Sequence, residues 1–258
     1  MRAQDMTEAP DSFLPVTENA TGAGPLLLAC EDASNAFLPQ WDDLGLNPDQ
    51  ARAHIAGNQG ALGLAHGLAE RLHATLTHAP VSGLIYDLNR GPDMAGAMRS
   101  RSEVHDIPGN AALTRAQPLA RTHAVYLPWA YGLRSLICSR IASGRRSVVI
   151  SIHSFTPVHH GKPRAVEFGL IHDADPTLAH NINAACGPTG LKARLNEPCS
   201  AAEDVTHTLL LHATPYGLAN ATLEIRNDLI AAPQTEVAMA DRLAPVLKVA
   251  LAAKDIAA

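Results

Sequence analysis

The sequence predicts a single-domain α/β fold, a three-layer sandwich built on a mixed, mostly parallel sheet. Three observations carry that expectation. Short apolar runs of strand length alternate with segments of helical periodicity. One run, SVVISI at 147–152, is the nearly continuous β-branched string of a strand buried on both faces. The chain has 258 residues, 47% of them hydrophobic and 17% charged, which suffices for one large core, and no repeat or linker divides it.

The elements follow in order. Residues 1–24 hold acidic and Pro/Gly positions where a secretion signal would have a basic and then an apolar region; they read as a flexible N-terminal arm, with the domain spanning 25–258. Residues 25–30 (PLLLAC) form the first strand. Asn47-Pro48-Asp49 supplies an N-cap, a first helical position and an acidic first turn. The helix breaks at 57–60 and resumes with Leu62, Ala65, Leu68, Ala69, Leu72 and Leu76 on one face. Residues 81–87 (VSGLIYD) read as a second strand, and the Gly-, Pro- and charge-rich stretch 91–113 as a lid or binding loop. A helix over 127–142 leads to the buried strand at 147–152. A strand at 166–172, a helix at 176–185, strands at 206–212 and 221–225 and a helix at 234–253 complete the chain.

Several function classes are excluded at this level. A net charge of −5 gives no electrostatic footprint for nucleic acid or an anionic membrane, and no run approaches the roughly 18 apolar residues of a membrane span. Cys30, Cys138, Cys186 and Cys199 are far apart and lack CxxC spacing, so they read as reduced thiols of a cytoplasmic protein.

Ligands of open α/β sheets bind beyond the carboxyl ends of strands. Glu31 and Asp32 follow the first strand, His153 follows SVVISI, and Glu224 and Arg226 share one face of the strand at 221–225. Asp87, Asn89 and Arg90 add a polar cluster, with Arg90 suited to bidentate capture of a carboxylate. Each has a plainer reading when taken singly. Glu224–Arg226 can be a structural ion pair at a sheet edge, His153 a strand cap, Asp32 an Asx-turn before Ser34-Asn35, Arg90 a surface residue and Asn58 a helix break.

In combination and in order they are more specific. The strings CEDASN (30–35), HIAGNQGA (54–61), IYDLNRGPD (85–93), IPGN (107–110), IHSFTPV (152–158), NEP (196–198) and LEIRNDLI (223–230) make the chain resemble the N-formylglutamate amidohydrolase (N-formylglutamate deformylase) family, whose fold is related to the zinc carboxypeptidases. The resemblance implies hydrolysis of the amide of an N-formyl or other N-acyl amino acid by a zinc-activated water. It assigns His153, Asp32 and Asn58 to the metal positions, Glu224 as general base, and Arg90, Asn89, Arg226 and Arg164 as substrate binders. The implied partner is a small-molecule carboxylate, acted on by a monomer or small homo-oligomer.

The chain departs from the family pattern where it matters. Asp32 stands where a ligating His is expected, Gly57-Asn58 where Trp-Asp is expected, Gly83 where Arg is usual and Ala130 where a His is usual. A carboxylate at 32 can ligate zinc, but an amide at 58 is a weak ligand. The alternatives are therefore a catalytically silent member that binds a small carboxylate or a partner protein, and a metal-free enzyme of changed chemistry built on Glu224 and Arg226.

Overall fold

The computed structural model describes residues 13–200, 202, 205–253 and 256. Seven strands make the main sheet: β1 (Val16–Glu18), β2 (Leu26–Cys30), β3 (Thr75–His78), β4 (Val148–Phe155), β5 (Phe168–Ile171), β6 (Ala193–Leu195) and β7 (Asn220–Arg226), in the order β1-β3-β2-β4-β7-β5-β6. Neighbours run parallel except β1 against β3 and β7 against β5. The sheet is thus mixed and mostly parallel. Every residue of β2 and β4 is buried, as strands covered on both faces must be.

Side-chain alternation sorts the sheet into two cores. Leu26, Leu28, Val148, Ile150, Ile152, Leu223 and Ile225 face helices α1 (Ala61–Leu72), α3 (Thr177–Ala185) and α5 (Pro233–Leu251). Leu27, Ala29 and Val149 face α2 (Leu127–Ala142) and α4 (His207–His212). Among the described residues no helix is long and apolar enough to cross a membrane.

Three expectations are corrected. The segment 81–87 is not a strand; the strand beside β2 is β3, earlier in the chain. Side chains satisfy the segment's backbone in place of a ladder: Asn110 Nδ2 donates to the Leu84 carbonyl (2.9 Å) and the buried Arg121 to the Ile85 carbonyl (3.2 Å). Ser82 Oγ donates to Ala56 O (2.6 Å) and fastens the same segment to the chain before α1. Helix α1 stops at Leu72, where His73 adopts φ 51°, so Leu76 serves the sheet and not the helix. The expected strand at 206–212 is instead helix α4, His207–His212: Thr208, Leu209 and His212 are buried and Leu210 exposed, a 3.6-residue period that a short apolar run conceals.

The stretch 91–113 carries its own structure, a small hairpin of Arg101–Ser102 with His105–Asp106 and a turn of helix at Pro108–Ala111. From residue 13 onward the N-terminal arm is fastened to the domain. β1 extends the sheet, Phe13 N–H donates to Ala124 O (2.9 Å), and the buried Arg140 donates to the carbonyls of Gly22 and Gly24. The rest of the expected arm, residues 1–12, lies outside the described residues. All four cysteines are free thiols.

Candidate active site

Three adjacent parallel strands assemble the site. Glu224 on β7 is the register partner of His153 on β4, and Ala29 on β2 that of Ser151. Alternation from Leu27 and Ala29 puts Glu31, just beyond β2, on the α2/α4 face, together with Ser151, His153 and Glu224. Two carboxylates therefore flank one imidazole at the carboxyl ends of the strands. Gly169 on β5 lies opposite Glu224, where a Cβ would sit 2.1 Å from the Glu197 carbonyl oxygen and 3.0 Å from Glu224 Cβ. Only glycine lets this strand pass Glu224 and the Glu197 carbonyl so closely.

His153 is clamped. Its Nε2 lies 2.9 Å from Ser151 Oγ and 3.2 Å from Glu31 Oε2, and Ser151 Oγ donates to that same oxygen at 2.6 Å. Its Nδ1 lies 3.5 Å from Asp32 Oδ2. Burial pushes the imidazole pKa down, but hydrogen bonding to Asp32 and Glu31 and the charges of Glu31 and Glu224 outweigh it and hold the ring well above its ordinary value. Burial pushes Glu31 and Asp32 up, and the His153 hydrogen bond and charge more than reverse it, so both are lowered. Two carboxylates thus bias the ring toward its charged form. Glu224 is raised: desolvation dominates, only partly offset by the charge of His153. His54 is lowered, chiefly by burial.

These groups open into a cavity of about 240 Å³, near the small end of metabolite pockets. Asp32, His54, Asn58, Asn89, Arg90, Arg99, His153, Arg164 and Glu224 all line it. Asp87 anchors the arginine wall, pairing closely with Arg99 and at 3.3 Å with Arg90 Nε. Burial raises Asp87, and Arg99 and Arg90 pull against that rise. The Arg164 guanidinium lies over the Phe155 ring, 5.5 Å from its centroid.

The residues singled out in the sequence divide into two groups. His153, Asp32, Glu224, Arg90 and Arg164 line the cavity, with Arg90 paired to Asp87 and Arg164 donating to the Thr156 carbonyl. The others are held by structural bonds. Asn89 lines the cavity but spends its amide on Val205 O (2.6 Å) and Thr208 N–H (2.9 Å), tying 85–93 to the start of α4. Asn58 Oδ1 accepts the Ser154 N–H at 2.7 Å. Arg226 turns to Asp228 (2.7 Å), Glu167 (3.8 Å) and the Arg164 carbonyl (3.2 Å), and so supports the Arg164 segment from outside the cavity lining. Glu224 and Arg226 do share a face, but β7 lies inside the sheet and not at its edge.

A zinc ion at this site would need donors that converge, and these do not. Asp32 Oδ2 stands 3.5 Å from His153 Nδ1, but among the described residues no third His, Cys, Asp or Glu brings a ligand atom within 4.8 Å of both. The Asn58 oxygen is engaged by a backbone amide. As arranged, the residues at the inferred metal positions do not fit a zinc set.

The sequence does not mark Glu31 as a partner of His153, nor Ser151 or Arg99 as site residues. The period-two alternation within β2 and β4 carried part of that signal, since Glu31 is in phase with Ala29 and Ser151 with His153. Arg99 gave none, because it reaches the site from a loop.

A mixed, mostly parallel sheet of seven strands with helices on both faces, carrying an acid–histidine–acid cluster at its strand ends, defines an α/β protein of zinc-carboxypeptidase-like fold. The family model for N-formylglutamate amidohydrolase matches residues 24–231, and the chain belongs to that family. A gene product of Agrobacterium tumefaciens of known crystal structure is 44% identical, with a TM-score of 0.91 over 93% of this chain and 95% of its own. The N-formylglutamate amidohydrolase of Ralstonia eutropha shares the fold at 18% identity, with a TM-score of 0.63 over 88% of this chain and 93% of its own. No curated protein matches the chain.

Proposed function

We propose that this protein hydrolyses the amide of a small N-acyl amino acid, N-formyl amino acids first among them, in the His153–Glu224 cavity. Family membership supports the reaction class. The observation that carries the assignment to these residues is the register pairing of Glu224 with a doubly clamped His153 inside an arginine-walled cavity.

In this reading Glu224 takes a proton from water as the oxygen adds to the acyl carbonyl. It delivers that proton to the amide nitrogen as the C–N bond breaks, leaving a carboxylic acid and a free amine. Desolvation makes the Glu224 carboxylate a stronger base than an exposed one. His153 lines the cavity, and as the oxyanion forms its Nδ1–H passes from Asp32, 3.5 Å away, to that oxygen. Glu31, behind Nε2, keeps the ring charged and fixed. Arg164 and Arg90 hold the substrate carboxylate. Zinc, which the family pattern implies, would find Asp32 and His153 but, among the described residues, no third His, Cys, Asp or Glu converging with them, and the Asn58 oxygen already serves the Ser154 amide.

A second reading, carboxylate binding without turnover, is favoured by the same engagement of Asp32 and Asn58. Amine release from a panel of N-formyl and N-acetyl amino acids, with calorimetric binding alongside, separates the two. Turnover by the native protein that survives chelation and vanishes in Glu224→Gln supports the first. Binding without turnover supports the second. Turnover abolished by chelator and restored by zinc would overturn the metal-free assignment, and neither binding nor turnover would sink both readings.

A further inference from the structure

A second histidine cluster lies elsewhere on the molecule. Glu18 of the edge strand β1, His66 of α1 and His78 at the end of β3 bring one ligand atom each to within 4.8 Å of one another. His66 Nε2 is 2.8 Å and His78 Nε2 is 3.3 Å from the same oxygen, Glu18 Oε1, and the two rings meet edge to face with centroids 5.8 Å apart. His78 continues the phase of Leu76, so the trio is on the α1 side of the sheet, opposite the face that carries Glu31, His153 and Glu224. None of the three lines the active-site cavity.

We propose that Glu18, His66 and His78 form a binding site for a divalent transition metal of zinc type, independent of the active site. The donor set is two imidazoles and one carboxylate, with water left to complete a tetrahedron, which is a common composition for zinc. Ligands about 2.0–2.1 Å from a tetrahedral zinc stand roughly 3.3–3.4 Å apart. The His78–Glu18 separation of 3.3 Å already meets that spacing, and the His66–Glu18 pair needs to open by about half an ångström. His66 and Glu18 are about half exposed, so their side chains can make that shift, whereas His78 is nearly buried and supplies the fixed point. The Nδ1 of His78 is buried without a hydrogen-bond partner, which leaves Nε2, the nitrogen aimed at Glu18, as the ring's outlet.

The elements joined by such a site explain what it would do. β1 is a three-residue strand held at the sheet edge by its pairing with β3. A metal on Glu18 would tie that strand to both α1 and β3, so binding would stabilise the fold at its N-terminal edge by mass action. The site is formed by groups already in mutual contact, and the cost of assembling it is small.

The test uses the full chain with Zn²⁺ and Co²⁺ as probes: metal content after reconstitution and desalting, calorimetric affinity, thermal shift, and the visible spectrum of the cobalt form. Expected is one equivalent of zinc with a raised melting temperature, and tetrahedral cobalt bands. All three should be retained in His153→Ala and lost in His66→Ala and in Glu18→Gln, with both of the latter still folded by circular dichroism. His66 and Glu18 are exposed enough for those variants to leave the core intact. Absence of bound metal in the native protein, or zinc that persists in His66→Ala and Glu18→Gln, would overturn the proposal. Zinc lost only in His153→Ala would overturn it too, and would move the metal back to the active site.

Discussion

Replacing Glu31 by Gln tests whether the His153 ring is held as a cation. Glutamine has nearly the same volume and keeps a hydrogen-bonding oxygen for Ser151, so the substitution removes charge and little packing. Glu31 is fully buried and lies 3.2 Å from Nε2, whereas the remaining carboxylate, Asp32, is 3.5 Å from the other nitrogen and borders the cavity. Removing one partner of a buried ion pair costs about 3–5 kcal/mol. For a chain of this length that is a fall of roughly 6–10 °C in melting temperature. The sign with pH follows from the shifts. Glu31 is lowered on folding, so its contribution is present above its unfolded pKa and lost as pH falls through the folded value. His153 is raised, so its contribution is full below its unfolded pKa and lost as pH rises through the folded value. The gap between native and variant should therefore be widest at about pH 4.5–6.5, between the two unfolded values, and should close toward alkaline pH once the ring is neutral. Calorimetric melting over that range, with NMR titration of the His153 ring, measures both parts. Equal melting temperatures throughout, with rings that titrate together, would show that Glu31 and His153 are not a charged pair.

Glu224→Gln should cut turnover by at least about 100-fold while raising stability at neutral pH, because a carboxyl raised on folding costs stability that grows as pH rises through its folded pKa; a variant that is both active and no more stable refutes the base assignment and its desolvation together. Native turnover should fall on acidification through the raised Glu224 value, a limb measurable in the pH profile of kcat/KM. Asn58→Ala leaves the Ser154 N–H without its partner and should cost about 1–3 kcal/mol in chemical denaturation, with no change in metal content. Gly83→Ala would place a Cβ 2.2 Å from Asp32 Oδ1, so the carboxylate must move and the His153 ring should titrate lower in NMR; an unmoved ring would show that Asp32 contributes nothing to its charge.

The parts legible in the sequence were those set by local patterns. SVVISI announced a doubly buried strand, and β4 fills the centre of the sheet. Glu31, His153 and Glu224 stood at strand ends, where α/β sheets bind ligands, and the structure brings them onto one face. What the sequence hid is non-local. Residues 81–87 are apolar and buried like a strand, yet Asn110 and Arg121, from later in the chain, satisfy the carbonyls of Leu84 and Ile85. The true strand, Thr75–His78, is more polar and was absorbed into the preceding helix through Leu76, whose apolar side chain suits either element. Arg226 has the right strand phase for the cavity but is drawn off by Asp228 two residues on, and nothing in the spacing ranks that local acid above a ligand.

Three of the departures from the family pattern, at positions 32, 58 and 83, are connected through space. Asp32 Oδ1 occupies the volume that a side chain at 83 would enter, so a larger residue there would displace the carboxylate. Asp32 in turn faces Nδ1 of His153, and its backbone carbonyl accepts the N–H of Asn58, whose side chain caps Ser154 one residue beyond that histidine. Positions 32, 58, 83 and 153 thus form a single contact network, and a change at one alters what the others can do. An Asp at 58 would set a carboxylate against the Ser154 amide inside a site that already holds Glu31, Asp32 and Glu224, three acids sharing one imidazolium. The neutral amide keeps the backbone bond without adding a fourth negative charge. With Asp32 in place of histidine, an uncharged residue at 58 limits the local excess of negative charge, and the combination favours a charged histidine over a neutral, ligating one.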